Sequence, residues 1–477
     1  MSSELHYTDA TRLAGLIRSG EVSSREVVQA HLDRIAAHNE TVNAVVTLDA
    51  EGALTAAGRA DRAVRAGEAL GPLHGLPVAV KDTHLTKGMR TTHGSRIYAD
   101  HVPEEDELLV ARMRAAGAIV IGKTNVPEFA AGSHTFNSVF GRTRNPYDRS
   151  RSAGGSSGGA AVSLACGFVP LADGSDMGGS LRNPASFNNV VGLRPTPGRV
   201  PAHPQTQLWE TLGTAGPLAR TVADVALLLS VLAGPDPRCP AALETPGETF
   251  RRPALLAGAS EPGALSGLRI AWSPDLGQGL PVAPEVLAVL EPQLRVFEEL
   301  GARVETAAPD LSEAEYAFRT LRAHTFADAM SELVERHREL FKPSLIWNVE
   351  EGLKLSGPEV GRARAALGRT HLRGVEFFSA YDLLLAPVSQ VAPFDGELEY
   401  PREIRGTAME TYLDWMRSAY LVTAMGVPAL SVPAGFTEGG LPVGIQIVAA
   451  PRREDRVLRA GAAYESATRH GERRPAF

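Results

Sequence analysis

Short apolar runs of strand length alternate with helix-like segments along most of this chain of 477 residues. Strands that alternate with helices in this way predict a largely parallel or mixed sheet that is covered on both faces. We therefore expect an α/β fold with a mixed central β-sheet and flanking helices. The strand candidates lie at 75–82, 118–121, 268–272, 302–305, 381–386, 427–432 and 443–448.

The N-terminal segment 1–70 is predicted to be helical. Ser23 and Glu26 have the spacing of a capping box, and an apolar stretch with helical periodicity follows them. The stretch 235–262 is rich in Pro and Ala and is expected to be a surface excursion. Further helices are expected at 51–69, 107–116, 221–232 and 284–299.

Charge and cysteine content exclude several classes of protein. The formal net charge is −7, which argues against nucleic acid or an anionic membrane as the main partner. Two cysteines, Cys166 and Cys239, are too few for a disulfide framework or a cysteine metal site. The sequence start has no signal-peptide pattern, and no apolar run reaches the ~18 residues of a membrane span. The expected location is the cytoplasm.

Lysine is scarce here, because nearly all positive charge is carried by arginine. Of five lysines, Lys81 ends the apolar run at 75–82 and is expected to be buried. Arginine keeps its proton in a protein, whereas a desolvated lysine can lose it and act as a base. Asp82 follows directly, but successive side chains on a strand face opposite sides, so we expect its carboxylate to point away from the amine.

Two familiar motifs occur in unsuitable settings. Residues 117–124 match the phosphate-loop pattern, but their variable positions read Ala-Ile-Val-Ile, which favours a buried strand. Residues 154–158 match the nucleophile-elbow pattern GxSxG, yet a polar segment precedes them where an elbow needs an apolar strand. We expect neither a nucleotide site nor an elbow serine.

A glycine- and serine-rich region supplies further catalytic candidates. Ser156 and Ser157 lie in the run AGGSSGG, and Ser180 ends the run GSDMGGS. Glycines just before a serine let several backbone N–H groups converge on one point, as an oxyanion hole requires. A serine needs a base to become a nucleophile, and neutral Lys81 with a second serine as proton relay would supply one.

In this order and at these spacings, the motifs resemble those of the amidase signature family. The resemblance covers 75–82, 122–125, 143–147, 154–159, 174–180, 191–196, 213–221 and 441–446. It implies a single amidase domain over 1–477, in which the helical segment 1–70 precedes a signature core at 75–200 with the catalytic residues.

The resemblance also implies a role for each candidate residue. Ser180 would be the nucleophile, Ser156 the proton relay on a cis peptide bond, and Lys81 the ultimate base. Ser157 and Asp176 would be supporting hydrogen-bond partners. No metal or organic cofactor would be needed. The oxyanion hole would consist of the backbone N–H groups of Met177, Gly178, Gly179 and Ser180.

The sequence departs from the family's usual residues at two places. One is Met177, and the other is the pair Asn188-Asn189. Both are expected near the acyl side of the substrate, where they would tune substrate choice and leave the chemical step unchanged.

Several functions fit these features. The leading one is hydrolysis of the C–N bond of a small, apolar or aryl amide through an acyl-enzyme on a Ser-Ser-Lys triad. A carbamate-cleaving, urethanase-like hydrolase stays open because its carbonyl chemistry is the same. The glutaminase (A) subunit of a glutamyl-tRNA amidotransferase and a non-catalytic binding protein on this fold stay open as well. The expected partner is a small-molecule amide or carbamate, with no nucleic acid and no membrane, and a homodimer stays open.

Four segments are expected to line the substrate pocket, at 131–140, 205–209, 318–347 and 403–420. Few of their charges face inward by pattern. Their aromatic residues either belong to the core or form an apolar site that accepts an aryl group, and the second alternative is preferred. The pocket candidates are Phe136, Trp209, Trp347 and Trp415.

Overall fold

The computed structural model describes residues 5–477, and eleven of its strands form one mixed sheet. In chain order the strands are β1 (Val45–Leu48), β2 (Pro77–Lys81), β3 (Ile119–Thr124), β4 (Leu171–Asp176), β5 (Val191–Arg194), β6 (Thr214–Ala219), β7 (Arg269–Trp272), β8 (Arg303–Thr306), β9 (Leu383–Pro387), β10 (Ala429–Phe436) and β11 (Pro442–Ala449). Two short ribbons pair Phe136–Asn137 with Gly141–Arg142 and Glu403–Ile404 with Thr407–Ala408.

Strands from both ends of the sequence are neighbours in this sheet. Their order is β1-β3-β2-β4-β6-β5-β10-β11-β9-β7-β8. Strand β2 pairs in parallel with β3 and β4, and β7 pairs in parallel with β8 and β9. The other neighbours are antiparallel. A sheet that joins both halves of the chain favours the single-domain prediction, which stays a prediction.

Helices flank the sheet, as the alternating pattern predicted. Every residue of β2 and of β3 is buried, so both faces of the sheet are covered here. The helices are α1 (Ala10–Ser19), α2 (Ser24–Val42), α3 (Ala50–Arg65), α4 (Leu108–Ala115), α5 (Gly158–Ala165), α6 (Arg182–Phe187), α7 (Val222–Leu232), α8 (Pro284–Leu290), α9 (Leu294–Glu299), α10 (Ala314–His337), α11 (Pro343–Leu353), α12 (Gly357–Ala380), α13 (Arg417–Ala424) and α14 (Glu454–Thr468).

The sequence predicted the start of α2 correctly but did not predict an interruption between α8 and α9. The capping box is present, with the Glu26 N–H donating to Ser23 Oγ at 3.1 Å and the Ser23 N–H donating to the Glu26 carboxylate at 2.8 Å. The expectation of one helix over 284–299 was wrong. A 3₁₀ turn separates α8 from α9 at Pro292, which has no N–H to donate and clashes with the preceding helical turn.

The glycine-rich stretch 145–201 contains more regular structure than its composition indicates. It holds α5, β4, α6 and β5. Strand β4 forms because β6 pairs with all six of its residues and both faces are packed, which outweighs the low strand propensity of Gly and Asp.

The structure also bears on the stretch 235–262 and on membrane-spanning helices. The stretch 235–262 contributes no strand to the sheet and contains two short 3₁₀ helices, although Phe250 within it is buried. Across residues 5–477, none of the helices combines the length and the apolar character that crossing a membrane requires.

Candidate active site

Lys81 is the last residue of β2, and its side chain is fully buried. Its Nζ lies 2.8 Å from Ser156 Oγ, 2.9 Å from Ser157 Oγ and 3.0 Å from Ser175 Oγ. All three partners are neutral hydroxyls, each able to donate or accept a hydrogen bond. A neutral amine, with two N–H groups and one lone pair, is satisfied by this set without a counter-ion. Ser175 is a partner that the sequence reasoning missed, although it lies in the quoted GSDMGGS run.

The surroundings of Lys81 favour its neutral form. Burial lowers the pKa of Lys81 to about 7, against the opposing effect of the Asp173 and Asp176 carboxylates. Asp173 accepts the backbone N–H of Lys81 at 3.0 Å. The Asp82 carboxylate accepts a hydrogen bond from the Thr92 N–H instead, in agreement with the expectation that it points away from the amine.

The segment with Ser156 and Ser157 joins Lys81 to the turn with Ser180. The Gly155–Ser156 peptide bond is cis, and Ser157 stands at the N-terminal cap of α5. The Ser157 N–H donates to the Ser180 carbonyl oxygen at 3.2 Å. On β4, a Cβ at Gly174 would lie 2.5 Å from Ser157 Oγ, so only glycine lets this strand lie so close to the serine.

The turn before Ser180 contains the four backbone N–H groups that were expected to form the oxyanion hole. Gly179 has a φ of 107°, a conformation that favours glycine. Its N–H donates to Asp176 Oδ1 at 2.8 Å and is therefore engaged. Within residues 5–477, the N–H groups of Met177, Gly178 and Ser180 have no hydrogen-bond acceptor. Three of the four expected oxyanion donors are therefore free.

Asp176 stabilises this turn through a buried ion pair. Its carboxylate lies 3.0 Å from the Arg182 guanidinium, and both side chains are fully buried. It also accepts the Leu181 N–H at 3.1 Å. Burial by itself would raise the pKa of Asp176, but Arg182 and Arg194 outweigh that effect and hold it well below its usual range. Asp176 thus acts on the backbone of the turn and forms no hydrogen bond with the serine hydroxyls.

Three hydroxyl-bearing residues share the wall of one cavity. Ser156, Ser175 and Ser180 line a space of about 170 Å³. Within residues 5–477 the hydroxyl of Ser180 has no hydrogen-bond partner. The larger side chains of the wall are Phe129, Met177, Arg322, Phe326 and Met416.

The predicted aromatic lining was wrong in detail. Trp209 is 76 % exposed on the surface, and Trp415 is buried in the core against Phe187. Phe136 and Trp347 are partly buried beside other aromatic or histidine rings outside the cavity. The side-chain direction within a segment depends on how the segment packs, which the sequence did not reveal. None of the predicted pocket residues lines the cavity: Phe136, Trp209, Trp347 and Trp415.

The predicted segments nevertheless supply part of the wall. Arg322 and Phe326 lie within 318–347, and Met416 lies within 403–420. Arg322 is the one charged residue that these four segments contribute to the described cavity wall, which agrees with the expectation that few charges face inward.

Phe129 was missed because it precedes the first predicted pocket segment. It and Ala130 line the cavity with left-handed φ values of 48° and 55°. Such strained residues occur preferentially at functional sites.

Met177 and the pair Asn188-Asn189, which depart from the family's usual residues, lie in different surroundings. Met177 lines the cavity, as expected for a residue that tunes substrate choice. The expectation for Asn188-Asn189 was wrong. Asn188 donates to the Ala153 carbonyl at 2.7 Å and Asn189 donates to the His470 carbonyl at 2.9 Å, so both amides tie the backbone together outside the cavity.

The rejected phosphate-loop match is a strand, as predicted. Residues 119–124 form β3, and Lys123 Nζ is buried 2.7 Å from Thr86 Oγ1. Among residues 5–477, no group of three or more histidine, cysteine, aspartate or glutamate side chains is arranged so that it could bind a metal ion.

Comparisons with known proteins identify the family of the chain. The model of the amidase family matches residues 26–458. The chain belongs to the amidase signature family. This amidase is 39 % identical to an acylamidase of Rhodococcus erythropolis, over 99 % of this chain and 98 % of that protein. It is 38 % identical to the A subunit of the glutamyl-tRNA(Gln) amidotransferase of Moorella thermoacetica, over 99 % of each.

A solved structure gives the same result for the fold. A bacterial aryl acylamidase of the amidase signature family matches with a TM-score of 0.90 and 29 % identity, over 98 % of this chain and 99 % of that one. The expected α/β fold is confirmed. The amidase is a hydrolase that acts on carbon–nitrogen bonds of amides.

Replacing Arg182 with methionine is expected to destabilise the amidase. The substitution leaves the Asp176 carboxylate buried without its nearest guanidinium, and breaking a buried ion pair costs about 3 kcal/mol. Urea unfolding of wild type and Arg182→Met measures the change in the free energy of unfolding. Arg336→Met, which removes an exposed guanidinium paired with Glu332, is the control and should leave stability unchanged. A loss at Arg182 as small as that of the control would contradict the structural role of the pair.

Proposed function

We propose that this amidase hydrolyses a small amide through an acyl-enzyme formed on Ser180, with Ser156 as proton relay and Lys81 as base. One observation carries the proposal. The Lys81 amine is buried, has a pKa near 7 and contacts the hydroxyl of Ser156, which shares a cavity wall with Ser180. A base with a pKa close to the working pH suits proton transfer.

The proposed proton path uses the Lys81–Ser156 contact and a transfer from Ser180 to Ser156 across the cavity that both serines line. Neutral Lys81 accepts the Ser156 proton, and Ser156 accepts the Ser180 proton as Ser180 Oγ attacks the amide carbonyl carbon. When the tetrahedral intermediate collapses, Ser156 donates a proton to the leaving nitrogen and the C–N bond breaks. Water then attacks the acyl-enzyme through the same relay, which releases the acid and restores Ser180.

The negative charge on the carbonyl oxygen needs preorganised donors. The unengaged N–H groups of Met177, Gly178 and Ser180 are suited to this task, and each such donor contributes about 3 kcal/mol in acyl-transfer enzymes. The Gly179 N–H was the fourth expected donor. Because it binds Asp176, we assign it to the shape of the turn. Ser157 supports the relay by its contact with the Lys81 amine.

The cavity favours a small substrate with an apolar or aryl group. Its volume of about 170 Å³ is below the range of roughly 300–1,000 Å³ for drug-sized ligands. Phe129, Phe326 and Met416 offer apolar surface for such a group. An activity screen over p-nitroanilides, aliphatic amides and aryl carbamates distinguishes amide from carbamate cleavage.

A glutaminase subunit of an amidotransferase is the second candidate, because relatives with that name are 36–38 % identical to this chain. The purified chain decides between the two functions. Anilide turnover by the chain alone favours our proposal. Glutamine turnover that requires added partner subunits would favour the second candidate.

Ser180→Ala is expected to abolish turnover while the fold stays intact. Loss of a nucleophile costs several orders of magnitude in rate, about 10⁶ in a well-studied serine hydrolase. Mass spectrometry after treatment with a fluorophosphonate should find the label on the peptide with Ser180. Ser163→Ala is the matched control, since that hydroxyl is buried in α5 and donates to the Gly159 carbonyl. A label on Ser156 would contradict the assignment, and no label at all would favour a binding protein.

The rate is expected to rise with pH through about 7 and to stay high in the alkaline range. Burial lowers the pKa of Lys81 below its ordinary value, so the neutral, active amine dominates above that pKa and is lost as the pH falls through it. Lys81→Arg should be inactive at every pH, because arginine keeps its proton. The measurement is kcat/KM against pH for both proteins.

The pH profile needs one control, because His84 contacts Asp173, and the Glu107 and Asp173 carboxylates raise the pKa of this histidine against the effect of burial. The rise with pH should persist in His84→Gln if Lys81 is its source. A flat profile in that variant, or an active Lys81→Arg, would overturn the proposed proton path.

A further inference from the structure

A buried arginine on α10 faces the same cavity as the catalytic serines. Arg322 is 5 % exposed and forms part of the wall that contains Ser156 and Ser180. Neither the proton path nor the oxyanion donors of the proposed mechanism involve this side chain.

The guanidinium of Arg322 is held by neutral groups. Its Nη1 donates to Asn348 Oδ1 at 2.5 Å. The amide of Asn348 donates in turn to the Tyr412 hydroxyl, which fixes the amide. The guanidinium carbon lies 4.2 Å from the ring centre of Phe326 and 5.3 Å from that of Tyr412. These contacts position the group without neutralising its charge.

Arg322 differs from its neighbour on the same helix in its partners. Within residues 5–477 no carboxylate forms an ion pair with Arg322, whereas Arg319, one turn earlier on α10, pairs with Asp414 and Glu315. The one carboxylate in the cavity wall belongs to Asp176, which is already paired with Arg182. A buried cation without a partner is costly, and a fixed guanidinium fork binds carboxylates in a bidentate manner.

We propose that Arg322 determines specificity by binding a carboxylate on the substrate, so that the preferred substrates are short or aryl amides that carry an acid group. This inference rests on the proposed amide hydrolysis. Phe326 would pack against the carbon skeleton while the guanidinium binds the acid. The carboxylate lies either on the acyl part or on the amine part of the amide.

Two matched pairs of anilides test the proposal. Glutaranilate against valeranilide compares an acid with a methyl group on the acyl part, and 4-acetamidobenzoate against 4′-methylacetanilide does so on the amine part. Wild type should show a kcat/KM at least about tenfold higher for the acid of one pair. The pair that shows the preference identifies the side of the scissile bond on which the acid lies. Equal rates within both pairs would overturn the proposal.

Arg322→Gln should remove the preference by slowing the acid about tenfold or more, while the neutral anilide changes by less than about threefold. Arg322→Lys keeps the positive charge but loses the two parallel N–H donors of the guanidinium, so it should retain part of the preference for the acid. This variant replaces Arg322→Gln in the test if the glutamine variant fails to fold. The control Arg336→Gln removes an exposed charge of the same helix and should behave as wild type. An equal loss for acid and neutral substrates, or a preference that persists in Arg322→Gln, would overturn the role.

Binding separates this inference from the proposed function. Calorimetry measures the affinity of the same four anilides for Ser180→Ala and for the double variant Ser180→Ala, Arg322→Gln. Tighter binding of an acid that disappears in the double variant supports the anion site even if the nucleophile is another residue. Equal affinities in both proteins would overturn the anion site, whatever the labelling of Ser180 shows.

Discussion

Lys81 places an amine among three hydroxyls at the end of a strand that is buried on both faces, where a charged ammonium would have no carboxylate in direct contact. That arrangement constrains its neighbours. The parallel strand β4 supplies Ser175 beside it, and the glycine at 174 lets this strand approach Ser157. The depressed pKa of Lys81 is thus a property of the packing of the sheet, because removal from water is its dominant cause.

The nearby carboxylates would undo this effect if they were free. Asp173 and Asp176 both oppose the lowered pKa of Lys81. Asp176 is neutralised by Arg182 and Arg194 and uses its oxygens to hold the turn that precedes Ser180. The buried ion pairs of Asp176 therefore accompany its hold on the turn before Ser180 and limit the negative charge that acts on Lys81.

The candidate catalytic groups and part of the cavity wall come from different parts of the chain. The lysine and the serines lie on β2, on β4 and in the segments beside them, whereas Arg322 and Phe326 belong to α10 in the C-terminal half. Relatives named as acylamidases and as amidotransferase subunits match over nearly the whole chain, so the overall match does not distinguish their substrates. The residues of α10 that face the cavity are where such a distinction is expected to arise.

The local sequence determined what depends on neighbouring residues: the helix that begins after Ser23, the buried strands β2 and β3, and the contiguous glycine-serine runs that contain Ser156 and Ser180. Those features were predictable because strand alternation, capping and backbone turns act over a few residues. Tertiary structure alone decided that Arg322, and none of the four predicted aromatic residues, faces the cavity. It also decided that Gly179 donates to Asp176 and that Ser175 joins the contacts of Lys81. The physical reason is that the direction of a side chain on a helix or loop is set by packing against segments distant in sequence, which no local pattern records.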